Sequence, residues 1–329
     1  MKAVLCRAYG PPSTLTIEDV PALEPRASEV VVGVRAAGVN FPDTLIIQGK
    51  YQFKPEFPFS PGSEVAGDII RIGPGVNGFK IGDRVIASIR HGGFAEEAIA
   101  SADQLLPIPD GMDYLAASSF LLTYGTSLHA LKDRAKLQPG ETLLVLGAGG
   151  GVGIAAIDVG KAIGARVIAA ASSEDKLALA REHGADETIQ YGTEDLRERI
   201  RQLTSDRGVD VVYDPVGGPY SEPALRSTAW GGRFLVIGFA SGEIPRIPLN
   251  LPLLKGCDIV GVFWGAFLKR DARQTRAHLG DLVQLFAAGK LKPAITRTYS
   301  LGATAEALTD LQERRVKGKI VIVPDKDSI

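Results

Sequence analysis

From Thr142 onward the chain alternates between short, wholly apolar runs and longer amphipathic ones. Leu143-Leu144-Val145-Leu146 and Phe234-Leu235-Val236-Ile237 carry no polar residue. Strands buried on both faces read this way, and helices must cover those faces. The pattern predicts strands over Thr142–Leu146, Arg166–Ala171, Glu187–Ile189, Val209–Tyr213, Phe234–Ile237 and Ile259–Phe263. Helices are predicted between them over Val152–Ile163, Glu174–His183, Glu194–Leu203 and Tyr220–Ser227. The expected fold class is α/β, a doubly wound parallel sheet of about six strands.

Residues 1 to about 120 read differently. Short β-runs such as Glu29–Val34, Val65–Ile72 and Arg84–Ser88 are separated by Gly73-Pro74-Gly75 and Gly82-Asp83. Such spacing predicts a mostly antiparallel, barrel-like unit. Leu115–Lys132 is Ala/Leu-rich and predicts one long helix. Two more helices are expected over Asp271–Ala288 and Thr304–Arg315, and a last strand over Lys319–Val323 before Pro324. This tail leaves the βα rhythm and is expected to return to the first domain, which would place a cleft between the domains. The boundaries read as 1–122 completed by 265–329, and 123–264.

The 329-residue length agrees with two domains. Lys and Arg total 37 against 38 Asp and Glu, so no global basic field draws nucleic acid, and none is expected as a partner. Two cysteines exclude a disulfide scaffold or a multi-cysteine zinc lobe, and the four histidines lie far apart. No apolar stretch approaches the roughly 20 residues that cross a bilayer, and Met1–Ala8 lacks a secretory pattern. The expected location is the cytoplasm.

The strand Thr142–Leu146 runs directly into Gly147-Ala148-Gly149-Gly150-Gly151-Val152-Gly153 and then a helix. Small residues let the backbone turn and approach a pyrophosphate, and Gly153 permits close packing of helix on strand. The helix start supplies free N–H groups and a positive dipole end. The expected dinucleotide contacts are Gly150, Gly151, Val152 and Gly153. A strand-end acid about 20 residues further on would favour NAD. Here the second strand ends in Ala171-Ser172-Ser173, and Glu174 and Asp175 suit the first helical turn. Ser172, Ser173 and Lys176 suit a 2′-phosphate, so NADP (as NADPH) is the expected cofactor.

In these motifs the chain resembles the medium-chain dehydrogenase/reductase superfamily, and within it the zinc-free NADPH:quinone oxidoreductases, the zeta-crystallin-like branch. The resemblance rests on Gly38-Val39-Asn40-Phe41-Pro42-Asp43, Pro61-Gly62-Ser63-Glu64-Val65-Ala66-Gly67, Gly78-Phe79-Lys80-Ile81-Gly82-Asp83-Arg84-Val85, the glycine loop and Tyr213-Asp214-Pro215-Val216-Gly217-Gly218. It implies a GroES-like β-barrel catalytic domain beside a Rossmann domain. Where zinc relatives carry a catalytic Cys and a His, this chain has Asn40 and Ser63, poor zinc ligands. No metal is expected.

The resemblance places Asn40 near the nicotinamide and the substrate oxygen. Asp43 reads equally as a catalytic group and as a helix cap. Tyr51 reads equally as a donor at the substrate mouth and as a packed aromatic; Leu45 replaces a family tyrosine. On the cofactor side the resemblance implies Thr126, Ser173, Lys176, Tyr191, Val216, Gly238, Phe239, Phe263 and Trp264, with Lys319 (and Lys317) reaching cofactor phosphate. Surface lysine and plain interface packing compete for the last four. Without a zinc Lewis acid, acceptors that delocalise charge are favoured. The expected activity is hydride transfer from NADPH to a quinone. The alternatives are reduction of α,β-unsaturated ketones, aldehydes or enoyl thioesters, and a structural or RNA-binding role. A homodimer through the edge strand of the Rossmann sheet is expected.

Overall fold

The computed structural model describes residues 1–324, the side chain of Ala272 excepted. The chain divides into two compact units: Met1–Leu122 with the described residues from Pro293 on, and Thr123–Lys292.

The second unit is built on a six-stranded, all-parallel sheet. Its spatial order is Glu187–Gln190, Arg166–Ala171, Thr142–Leu146, Val209–Asp214, Thr228–Val236, Asp258–Gly261. In chain order this is 3-2-1-4-5-6, so the direction of winding reverses between Thr142–Leu146 and Val209–Asp214. Leu143 to Leu146 and Val167 to Ala171 are buried, as their unbroken apolar runs require. The six predicted strands are all present. The fifth starts earlier, because an irregular step between Val209 and Val211 in its partner accommodates Trp230-Gly231-Gly232. The sixth stops at Gly261, and Phe263 instead caps the short helix Trp264–Arg270.

The first unit carries a seven-stranded sheet organised around Glu29–Gly38. This strand pairs antiparallel with Glu64–Ile72, Glu97–Ser101 and Lys319–Val323. Arg84–Ser88 and Leu105–Pro107 extend one side, and Ile295–Ser300 extends the other. Val321 lies opposite Gly38 and Ile322 opposite Ala37, so the end of the chain is stitched to the strand that leads into Asn40. Ile295–Ser300, with its exposed middle, was not visible in the sequence pattern.

Two expectations require correction. The single helix over Leu115–Lys132 is three pieces: Tyr114–Ala117, Leu121–Leu128 and a π-helical turn His129–Arg134. The first break lies at Ser118-Ser119, whose backbone passes against Gly38; a Cβ on Gly38 would stand 2.1 Å from the Ser118 carbonyl oxygen. Helical periodicity does not register so close a contact with a strand 80 residues away. The second correction concerns residues 265–292, which belong to the second unit and not with the returning tail. They are held there by side chains. Phe267 stacks on His129 at 4.2 Å, His129 and His278 both donate to the Asp133 carboxylate (2.7 and 2.9 Å), and Lys132 pairs with Asp281. Asp158, buried in the helix Gly151–Ile163, accepts from Tyr124 Oη at 2.7 Å and from the Lys292 amide at 2.9 Å. One carboxylate thus fixes both points at which the chain enters and leaves this unit.

Candidate active site

At the carboxyl end of Thr142–Leu146 the chain turns through Gly147, whose φ of 59° is in the left-handed region. The Gly150 amide donates to Gly147 O (3.0 Å), and the thirteen-residue helix Gly151–Ile163 begins with no acid in its first turn. A Cβ on Gly153 would lie 2.4 Å from Gly147 O; on Gly149 it would lie 2.5 Å from Lys176 Cβ. The loop is therefore a bare backbone cradle, and side chains there would fill it. It fits a pyrophosphate at a helix start on the winding reversal. The stem of Lys176 covers Gly149, and its Nζ donates to Ser172 Oγ at 3.4 Å. Ser173 caps the helix Glu174–Glu182 and its hydroxyl donates to the Asp175 carboxylate. Glu174 turns away to pair with Arg181 at 2.7 Å.

Tyr191 donates its amide to Ala171 O (3.1 Å) and packs its ring on Tyr220, 4.2 Å between centroids. A Cβ on the neighbouring Gly192 would lie 3.0 Å from Ser172 O. Ser172, Ser173, Lys176 and Tyr191 are thus brought to one strand end.

Beyond the reversal, Asp214 anchors the next turn. It is buried; Oδ1 accepts from the amides of Val216 (2.8 Å) and Gly217 (2.9 Å), and Oδ2 from Ser221 Oγ (2.6 Å). Burial pushes its carboxyl up, and these donors oppose the rise. Its backbone oxygen accepts from Gly238 at 3.3 Å. Val216 faces the glycine loop, and Phe239 faces Gly217. Val216, Gly238 and Phe239 therefore cluster beside the cradle. The anchoring role of Asp214 was missed, although an Asp whose carboxylate accepts from the amides two and three residues on is a recognisable turn signal. Thr126 is half-buried in Leu121–Leu128, Phe263 is exposed, and Trp264 is buried against His129 and Phe267. Trp264 is thus an interior residue.

The first unit holds a second polar cluster. Asn40 caps the helix Phe41–Ile46 and its amide donates to Asp43 Oδ2 at 2.8 Å, half of a capping box. Lys319 Nζ donates to Val39 O at 2.7 Å and to Asn40 Oδ1 at 2.6 Å. Asn40 Nδ2 donates to Gly38 O (3.2 Å) and to Glu64 Oε2 (3.4 Å), while Glu64 Oε1 accepts from the Leu122 amide (3.0 Å). Asn40, Asp43, Glu64 and Lys319 are all buried. Asp43 thus has the capping geometry, and Lys319 lies inside the first unit with its ammonium on Asn40. The contribution of Glu64 was not foreseen, because its partners, Asn40 and the Leu122 amide, lie 24 and 58 residues away in the sequence. Ser63 Oγ is buried with no hydrogen-bond partner among the described residues. Tyr51 is half-buried against this unit's core, and both burial and the nearby Asp43 charge push its hydroxyl pKa up. Among the described residues no group of three or more His, Cys, Asp or Glu side chains is placed to hold a metal ion.

Residues 26–110 match the family model described as the alcohol dehydrogenase GroES-like domain, and residues 151–281 match the zinc-binding dehydrogenase model. Over 325 residues the chain is 39% identical to a protein of Nematostella vectensis named quinone oxidoreductase-like protein 2 homolog, covering 98% of this chain and 88% of that one. It is 35% identical to the quinone oxidoreductase of Pseudomonas aeruginosa, covering 98% and 99% respectively. Among solved structures, a mycobacterial protein complexed with NADPH superposes with a TM-score of 0.92 at 30% identity, over 98% of this chain and all of that one.

Burial raises the Asp43 carboxyl to about 7, against the opposing effects of the Asn40 amide and the Lys319 charge. In an unfolded chain the same group titrates near ~3.9. Between these values the folded chain keeps a proton that the unfolded chain has released, so this group's contribution to stability falls as pH rises. The variant Asp43→Asn should lose that part of the decline when thermal unfolding is followed from about pH 4 to about pH 7. Midpoints that run parallel to the wild type across the window contradict the assignment.

Proposed function

This chain belongs to the medium-chain dehydrogenase/reductase superfamily, and we propose that it transfers a hydride from NADPH to a quinone without a metal. The observation that carries the reading is the bare cradle of Gly147 to Gly153, with the Lys176 stem across it and two serine hydroxyls at the adjacent strand end. The amides of Gly151, Val152 and Gly153 and the helix dipole receive the pyrophosphate. Lys176, Ser172, Ser173 and Tyr191 hold the 2′-phosphate, since an ammonium with hydroxyl donors matches its nearly two negative charges. Val216, Gly238 and Phe239 border the ribose and the nicotinamide, with Thr126 and Phe263 as further contacts. When bound, the nicotinamide supplies the hydride.

In this reading the chain's own part in the reaction is positioning and polarisation. One Nδ2–H of Asn40, released from its long 3.4 Å contact with Glu64 Oε2, donates to the acceptor's carbonyl oxygen, where negative charge gathers as the hydride arrives. Tyr51 carries its proton at neutral pH, as a phenol with a pKa near ~10 does, and donates it to that oxygen; water then reprotonates the tyrosine. Hydride plus proton converts a quinone to its hydroquinone. Asn40 and Ser63 supply no thiolate or imidazole for a metal, so no Lewis acid is available for simple ketones. Quinones suit such a site because their reduced anion is delocalised.

A second reading has specific support: half-buried Tyr51, packed against the first unit's core, also suits protonation of an enone at its α-carbon. For the assembly, the edge strand Asp258–Gly261 has a strand neighbour on one side only among the described residues, with Arg134 Nε on Gly261 O. Leu249 (81% exposed), Leu253 (75%), Ile259 (41%) and Phe263 (56%) lie on or near it. An apolar sheet edge of this kind suits pairing with a second copy of the chain.

Lys176→Ala should weaken NADPH binding at least about tenfold, as loss of a charge-assisted contact does, while NADH changes little; equal losses in a calorimetric titration exclude the phosphate pocket. In a panel of acceptors, NADPH oxidation should be fast with quinones and absent with simple ketones. Tyr51→Phe should depress quinone turnover only slightly, because the hydroquinone oxygen can take its proton from water, and a steep loss confined to enones would support the enone reading. Turnover confined to simple ketones overturns the acceptor class. Ile259→Lys should convert a dimer into a monomer by sedimentation velocity, and an unchanged sedimentation coefficient removes the edge strand from the interface.

A further inference from the structure

The Asn40 cluster contains a charge that the proposed reaction does not yet use. Two carboxylates and one ammonium are enclosed in the first unit: Asp43, Glu64 and Lys319. Burying a lone ammonium is costly, and burial does pull the Lys319 pKa down while Glu64 and Asp43 push it back up. A methionine or leucine at this place in an otherwise apolar strand, Lys319–Val323, would pack without that cost. The ammonium's direct contacts are two oxygens, and one of them is the carboxamide of Asn40.

That contact has two consequences. It fixes which end of the Asn40 side chain is oxygen, since Oδ1 at 2.6 Å from an ammonium must be the acceptor. Nδ2 is then the end able to donate, and its two present bonds, 3.2 Å to Gly38 O and 3.4 Å to Glu64 Oε2, are long and therefore weak. A cation on the oxygen of an amide also withdraws density from its nitrogen, and hydrogen bonds in series strengthen one another. The N–H groups of Asn40 become stronger donors than those of an ordinary asparagine.

We propose that Lys319 is a positioning residue for hydride acceptance: its ammonium orients the Asn40 carboxamide and strengthens its N–H donors toward the substrate oxygen. The inference rests on the acceptor reading given above. It assigns Lys319 a place in the chemistry and removes it from the nucleotide-phosphate contacts. The cation that would stabilise a developing oxyanion acts one residue removed, through an amide. Such help favours acceptors that already delocalise charge, because an amide N–H is a weaker stabiliser than a metal ion.

The test compares Lys319→Met, which keeps the side chain's length without its charge, with the double variant Lys319→Met/Glu64→Gln, which restores the charge balance. Both are assayed with the quinone that the wild type reduces best. Lys319→Met should lower kcat by about 100-fold, the scale of losing an oxyanion donor, with the acceptor KM and NADPH affinity changed less than about twofold. Its melting temperature should fall, and the double variant should recover much of that fall while kcat stays low. If Lys319→Met does not fold, the double variant carries the test alone. Recovery of kcat together with the melting temperature shows a charge-balancing role only and overturns the inference. So does a loss of NADPH affinity in place of kcat, which would return Lys319 to the nucleotide. A wild-type chain that reduces no acceptor overturns the proposed function itself, a result distinct from either.

Discussion

A single buried ammonium joins the two ends of the first unit. Lys319 reaches Val39 and Asn40, 280 and 279 residues earlier in the sequence. It permits Asp43 and Glu64 to be enclosed beside an asparagine, because enclosed carboxylates require a nearby cation or several donors. The backbone repeats the link, with Val321 opposite Gly38 and Ile322 opposite Ala37. If the tail were not returned to this sheet, Asn40 would lose the partner that orients its side chain. The geometry of the polar cluster therefore depends on a contact between the earliest and latest parts of the chain.

The second unit uses the same economy with different chemistry. Asp158 gathers Tyr124, His183 and the Lys292 amide, and Asp214 gathers Val216, Gly217 and Ser221. Each carboxylate is buried and satisfied by donors, which is the condition under which such groups are tolerated. Asp158 fixes the ends of the unit; Asp214 fixes the turn beside the cradle.

The parts of this fold written as local pattern were legible. Leu143-Leu144-Val145-Leu146 and its neighbours could only be strands covered on both faces, and the glycine loop declared its place between strand and helix. Elements set by contact with distant residues were not. The break at Ser118-Ser119 exists because Gly38 lets another backbone approach, and nothing within Leu115–Lys132 reports that. Residues 265–292 join the second unit through His129, Asp133 and His278, whose spacing in the sequence gives no hint of their meeting. In the site, Asn40 and Lys176 could be singled out from their motifs. Glu64 and the inward course of Lys319 could not, since each depends on a partner more than 20 residues away.

Among the described residues, the ammonium that touches the Asn40 carboxamide is that of Lys319. In the proposed reaction, hydride acceptance proceeds through an amide donor and favours substrates able to spread charge. The most direct test is a single-turnover measurement of NADPH oxidation by a quinone, using protein dialysed against a strong chelator and checked for metals by mass spectrometry. The account predicts an undiminished rate in the metal-stripped chain, unaffected by added zinc. A rate that disappears with the metal and returns on adding zinc would contradict it.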